Sequence, residues 1–508
     1  MDPEVPSPFG SVSRRRFLGS VVAGGATIAV AGACSSTSNG SSSSTGSPTV
    51  AGVRPRPDAG AAHRAVVIGA GLSGLTAALD LRDAGWDVVV LEARDRVGGR
   101  VHTLHEPFAD GLHAEGGGES IDDNHASIQA MITRFGLSTE RRPADKIDSA
   151  QIFAGGRRRP IADYVASDGG KVLADYTRFG DELAALSVGM DPEHPETFAR
   201  AEELDARSLA SFVDGLGLVP AARLLVEIEN RGEFNAELAE VSLLFAAQQA
   251  TTLTGVTEGG TEIMRITGGN SRLADAMRAE LGERVVLGSP VSRVEWDRAG
   301  VRVTSTKRSV DAAHLVVAIP TPPLRRVTFS PSLPASLARA VGGLQLGAAA
   351  KVSTEYRRRF WNDLGTPGFT LTDLPFHLAW AATDSYGAAT DPGILSQFIT
   401  GDAARQAART SDADRIREFQ AQLDQVYPEG SSLRTARSAT VAWTDEPYSG
   451  GGYAVFGPGE LLSTWPTIRS GAGPMLFAGE HTESLAGYME SAVRSGHRVA
   501  RQIGVVRR

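Results

Sequence analysis

Apolar residues fall along this chain with two different periods. Residues 65–69 form a short β-branched run, residues 72–84 space leucines and alanines as a helix does, and residues 87–92 return to a continuous apolar strand pattern. Strand, helix and strand in so short a span predict a βαβ unit. From 125 to 264 helical patterns dominate, most clearly at 171–186 and 239–249, between loops rich in Pro, Gly and Asp. Strand patterns resume at 285–287, 291–296, 301–305 and 315–319. A mixed region over 331–446 precedes a closing strand at 474–478 and a helix at 489–503. No internal repeat is present.

Length and charge narrow the classes. A chain of 508 residues exceeds one compact core and predicts two or three domains. With a net charge of −8 and no long Lys/Arg run, nothing in it matches a phosphate backbone, so nucleic acid is not an expected partner. The single cysteine, Cys34, lies near the N-terminus, which leaves the body of the chain no disulfide, no cysteine metal site and no cysteine nucleophile. No metal is expected. Ser13-Arg14-Arg15-Arg16-Phe17-Leu18 resembles a twin-arginine motif, and the apolar stretch behind it, 17–33, is short and Gly/Ala-rich for a membrane span. Residues 1–34 are therefore expected to be a signal peptide of the twin-arginine route, which exports folded proteins. Ala31-Gly32-Ala33 fits a cleavage site or an imperfect lipobox, so the mature form is expected to be a lipoprotein anchored through Cys34 at the outer membrane face, or else secreted or periplasmic. Residues 35–62 read as a flexible Ser/Gly/Pro-rich tether.

Candidate chemistry begins at Gly69-Ala70-Gly71-Leu72-Ser73-Gly74, a G-x-G-x-x-G loop between predicted strand and predicted helix. Such glycines allow a tight turn and let backbone N–H groups approach a pyrophosphate at the helix N-terminus. Glu92, at the end of the second strand, can accept hydrogen bonds from both hydroxyls of an adenosine ribose and would repel a 2′-phosphate. The fold class expected is α/β: a Rossmann-type dinucleotide-binding domain assembled from segments 63–124, 265–330 and 447–508, with an α+β substrate domain inserted as 125–264 and 331–446.

The residues after Glu92 make the resemblance specific. Glu92-Ala93-Arg94-Asp95-Arg96-Val97-Gly98-Gly99-Arg100 is similar to the E-A-R-x-R-x-G-G-R segment of the flavin amine oxidase family, which includes monoamine and polyamine oxidases. Gly116-Gly117 resembles that family's glycine pair beside the flavin ring, Val291 its adenine contact, and Phe477-Ala478-Gly479-Glu480-His481-Thr482 its F-A-G-E-x-T. Gly487-Tyr488-Met489-Glu490-Ser491-Ala492 resembles G-Y-M-E-G-A, whose helix N-terminus faces the flavin. The resemblance implies FAD as cofactor, with contacts from Gly69, Ala70, Gly71, Ser73, Gly74, Glu92, Ala93, Arg94, Gly99, Arg100, Gly116, Gly117, Val291, Gly479, Glu480 and Met489.

It also implies three reacting residues. Lys351 is similar to the lysine that holds a water against flavin N5, and Tyr453 and Tyr488 to the two walls of the aromatic cage. Monoamine oxidases carry a flavin-bonded cysteine just before the first cage tyrosine; Gly452 stands there, which implies noncovalent FAD. The implied reaction is oxidation of a small amine with dioxygen reduced to hydrogen peroxide. An amino acid oxidase needs a cation for the substrate carboxylate, usually an arginine soon after the glycine pair. Residues 118–123 are acidic instead; they read as an exposed carboxylate run or, alternatively, as acceptors for the distal ammonium of a diamine or polyamine. Arg265 could still supply that cation, so an L-amino acid oxidase is the alternative. A flavin-bearing lipoprotein that binds or relays electrons without turnover is the second alternative.

Overall fold

The structure, a computed structural model, describes residues 61–109, 111–142, 150–251, 262–383 and 390–505. The expected signal peptide, Cys34 and most of the tether lie outside them. One parallel sheet gathers strands from distant parts of the chain in the order Met475–Phe477, His314–Val317, Arg64–Ile68, Asp87–Leu91 and Val285–Val286. Its central strand is buried on both faces, which is why it reads as an unbroken apolar run. The two faces still alternate. Ala65 and Val67 pack among helices, whereas Val66 and Ile68 pack with Val294, Val301 and Val303 of a second, four-stranded sheet.

Helix Leu72–Asp83 covers the first face, and helix Met489–Val505 packs along it. Gly496 permits that approach, since a Cβ there would stand 2.6 Å from the Ser73 carbonyl oxygen. This is the Rossmann-type arrangement the fold class required.

The largest sheet has seven strands in the order Arg434–Ala442, Ala349–Tyr356, Gly393–Thr400, Phe376–Ala381, Thr370–Thr372, Gln151–Ala154 and Arg157–Pro160. Its last two strands come from the region expected to be mainly helical. Arg157-Arg158-Arg159 is an edge strand with no apolar alternation to announce it, and its neighbour pairs with Thr370–Thr372 far along the chain. The helix expected over 239–249 is interrupted: the Ser242 hydroxyl accepts from the amides of Leu244 and Phe245 and starts a new helix, Leu243–Thr251, after the short turn Leu238–Glu240. Two elements aim at the site. Strand Ala349–Tyr356 is buried along its whole length, and helix Pro220–Phe234 ends at Asn235 in the left-handed region, φ 53°.

Candidate active site

At one end of the site the backbone does the work. Gly69 has φ +100° with the Ala318 carbonyl oxygen 2.6 Å from where a Cβ would sit, and a Cβ on Gly74 would fall 2.0 Å from the Gly69 oxygen. Only glycines close this loop. Glu92 is buried, and its two carboxylate oxygens accept the amides of Ala70 at 2.7 Å and Arg94 at 2.9 Å, which fixes its position at the strand end. Strand end, helix start, close-approach glycines and an anchored acid fit a dinucleotide.

A cavity of about 410 Å³ runs from this loop to the large sheet. Of the residues implied by resemblance, Gly69, Gly71, Ser73, Glu92, Ala93, Arg94, Gly99, Arg100, Gly116, Gly117, Val291, Gly479, Glu480 and Met489 line it, together with Lys351, Tyr453 and Tyr488. Ala70 and Gly74 do not: the first spends its amide on Glu92, and the second lets helix meet strand. The arginines also brace the chain. Arg100 bonds the Gly452 carbonyl and, at 2.9 Å, Glu480, whose carboxylate accepts the amides of Ala454 and Gly487. Arg94 bonds Glu446 and, at 2.9 Å, the Ser449 hydroxyl.

The glycine segment is pinned by its carbonyls. Lys351 Nζ donates to the carbonyls of Glu115 and Gly117, both at 3.0 Å. Trp443 Nε1 donates to that of Gly116 at 2.8 Å, and Asn270 Nδ2 to those of Gly118 and Glu119 at 3.1 and 2.7 Å. Five consecutive carbonyls thus meet side chains from three remote segments. The third N–H of Lys351 goes to Glu119 Oε2 at 3.0 Å, so its three donors are engaged. Burial alone would raise the Glu119 carboxyl, but Lys351, Arg142 and Arg265 bring it down to about 2. Burial raises Glu115 to about 7.

The two tyrosines are tethered to one helix end. Tyr453 donates its hydroxyl to the Gly232 carbonyl at 2.7 Å, and Tyr488 donates to Glu233 Oε1 at 3.1 Å. Gly487, at φ +85°, lets the Tyr453 ring pass close, since a Cβ there would lie 3.1 Å from its Cδ2. Asn235 accounts for Gly452: a Cβ at 452 would stand 2.3 Å from the Asn235 amide nitrogen. Phe369, Leu371, Leu378, Trp380 and Phe398 give the cavity an apolar wall.

Residues 118–123 are not an exposed run. Glu119 and Asp122 are buried, Glu119 by its ion pair and Asp122 by accepting the Glu262 amide at 2.7 Å. Arg265 is absent from the cavity lining; it is buried against Glu140, Nε to Oε1 2.6 Å. Arg142, which no motif marked, does line the cavity beside this segment and donates to the Ser120 hydroxyl at 3.1 Å. Sequence reasoning missed it, along with Trp380, Trp443, Glu233 and Asn235, because none lies within a motif.

The family model described as flavin containing amine oxidoreductase matches residues 72–504. A flavin-containing amine oxidase of Oncorhynchus mykiss is 29% identical over 86% of this chain and 85% of its own length. An L-amino acid dehydrogenase of Synechocystis is 26% identical over 86% of this chain and 94% of its own. The solved cyclohexylamine oxidase of Brevibacterium oxydans superposes with a TM-score of 0.78 at 26% identity, covering 88% of this chain and all of that one. With the loop, the anchored acid and the cavity already in place, the match over most of the chain establishes that this protein belongs to the flavin-containing amine oxidoreductases, an amine-oxidising enzyme with FAD as its cofactor.

Proposed function

We propose that the protein oxidatively deaminates a small primary or secondary amine. The observation that carries this reading is the pair of cavity tyrosines, each fixed by its hydroxyl to adjacent residues of one helix end, Gly232 and Glu233. Rings held in this way orient a slim substrate without spending charge on it. The apolar wall excludes water and favours the neutral amine over its ammonium form. FAD, when bound, supplies the two-electron oxidant that takes a hydride equivalent from the amine α-carbon and passes the electrons to dioxygen, giving hydrogen peroxide. The imine released then takes up water to yield aldehyde or ketone and ammonia or an amine. Lys351 and Trp443 hold the Gly116-Gly117 segment in register against the cavity.

The test is anaerobic mixing with amines and with the corresponding α-amino acids. Amines are expected to bleach the flavin at lower concentration, and faster at alkaline pH, because an alkylammonium loses its proton only near pH 10. Faster bleaching by L-amino acids would overturn the reading in favour of an L-amino acid oxidase. One observation favours that second reading: Arg142 lines the cavity and could meet a carboxylate. The Arg142→Leu variant then separates the two, since only amino acid turnover should need the guanidinium. Electron relay without turnover predicts bleaching by neither class.

Two further expectations belong to the same proposal. FAD is held noncovalently, because Gly452 offers no thiol and Asn235 fills the space a side chain would need; acid precipitation should release the yellow colour into solution. The chain is exported by the twin-arginine route, and replacing Arg14 and Arg15 by lysines should leave folded, flavin-loaded enzyme inside the cell.

A further inference from the structure

We propose that Glu119 is the counter-ion of Lys351 and a positioning residue for the reaction, so that the cofactor meets an ion-paired unit in place of a lone lysine cation. Glu119 Oε2 lies 3.0 Å from Nζ, and both side chains are buried while both residues line the cavity. The other two N–H groups of Lys351 are taken by the Glu115 and Gly117 carbonyls. The ammonium therefore has no donor to spare unless it leaves Glu119. The second carboxylate oxygen is held as firmly, accepting Trp380 Nε1 at 2.9 Å, and the Trp380 ring centroid lies 5.0 Å from Nζ. One tryptophan thus braces both members of the pair.

The neighbourhood explains why the lysine needs an anion. Arg265 and Arg142 approach Glu119 Oε1 to 3.8 and 4.0 Å. Without Glu119 three cations would stand close together here, with Arg265 also drawn to Glu140 at 2.6 Å. Buried charges at such distances are little screened by solvent or salt. An unpaired ammonium would impose a full positive charge on the cofactor, whereas a pair imposes a dipole whose field falls faster with distance. Lys351 and Glu119 are thus opposite levers on one quantity, the charge felt at the flavin.

The inference rests on the assignment of the cavity to FAD, and its test does not depend on which amine is oxidised. Three holoenzyme variants, Lys351→Met, Glu119→Gln and the double variant, are reduced with dithionite and mixed with oxygenated buffer in a stopped-flow instrument. The reduction potential of the bound flavin and the FAD dissociation constant of each apoprotein are measured alongside. Lys351→Met should slow reoxidation about a hundredfold and lower the potential, as loss of one preorganised charge does. Glu119→Gln should raise the potential. The double variant restores the net charge of the cluster and should return reoxidation and potential to within about threefold and close to wild type, respectively.

A double variant as slow as Lys351→Met, with an unchanged potential in Glu119→Gln, would overturn the proposal and leave Glu119 a structural residue. Lys351→Met keeps Glu119 held by Trp380 and flanked by both arginines, so it should fold. Should Glu119→Gln alone not fold, the contrast between Lys351→Met and the double variant still decides. Failure of amines to reduce the wild-type flavin would count against the proposed substrate class without touching this pair.

Discussion

The two ends of the cavity are built on different principles. At the phosphate-loop end recognition is made by backbone: the amides of Ala70 and Arg94 fix Glu92, and glycines at 69 and 74 stand where any Cβ would collide. At the substrate end it is made by side chains that arrive from residues 119, 142, 351, 380 and 443 and bury several charges together. Backbone-made recognition tolerates almost no substitution at its glycines. Side-chain recognition can be retuned by substitution, with charge partners such as Lys351 and Glu119 changing together. A family that keeps one cofactor while changing substrates needs that division.

The comparison would be broken most directly at the loop. Gly74→Val should abolish flavin binding outright, since even the first carbon of the new side chain would lie 2.0 Å from the Gly69 carbonyl oxygen. The purified variant should show no visible flavin band; a normally yellow protein would mean that the loop can yield.

Next in size is a pH effect at the boundary between the two ends. Burial raises the Glu115 carboxyl from 4.5 to about 7, so the native state binds this proton more tightly than the unfolded chain does. Its contribution is full below about pH 4.5 and is lost as pH rises through about 7. Relative to Glu115→Gln, the wild type should lose on the order of 3 kcal/mol across that window. Denaturant melts of both proteins at several pH values check the difference, and parallel curves would refute it. Taking the difference also removes the buried histidines His113 and His481, which burial lowers to about 4 and which act in the opposite sense, costing stability as pH falls.

Smaller effects sharpen the substrate end. Tyr453→Ala should keep its FAD and lose about a hundredfold in kcat/KM through misplaced substrate. Tyr453→Phe keeps the ring and loses only the bond to the Gly232 carbonyl, at a cost of about 1 kcal/mol or fivefold in rate. Steady-state kinetics with one amine measures both. Equal losses in the two variants would assign the effect to the hydroxyl and deny the ring its orienting role.

The same division explains what could be read from sequence. The βαβ unit, its glycine loop and Glu92 lie within thirty residues, and their chemistry depends on local turns, so residue order announces them. The Lys351–Glu119 pair spans 232 positions and joins a strand to a loop of a different sheet. Nothing in either local sequence indicates the other. Residues 118–123 look like a solvated charge run because sequence shows the acids and not the ammonium that draws Glu119 inward. Arg265 lies away from its expected place for a related reason: the strand pair Thr139–Arg141 with Met264–Ile266 sets it opposite Glu140, and that register appears only after folding. Asn235 is legible only in retrospect, through the empty space demanded at Gly452.

The parallel sheet has a consequence for how the protein is made. Its third strand in space, Arg64–Ile68, is the first synthesised, while its edge strand, Met475–Phe477, and the helix Met489–Val505 that packs on Leu72–Asp83 are the last. A ribosome therefore releases nearly the whole chain before the phosphate loop has the sheet and helix that support it. Flavin capture is a late event in the life of each molecule, and premature termination after residue 74 but before residue 475 yields a chain that carries the complete glycine motif without the edge strand and helix that support it.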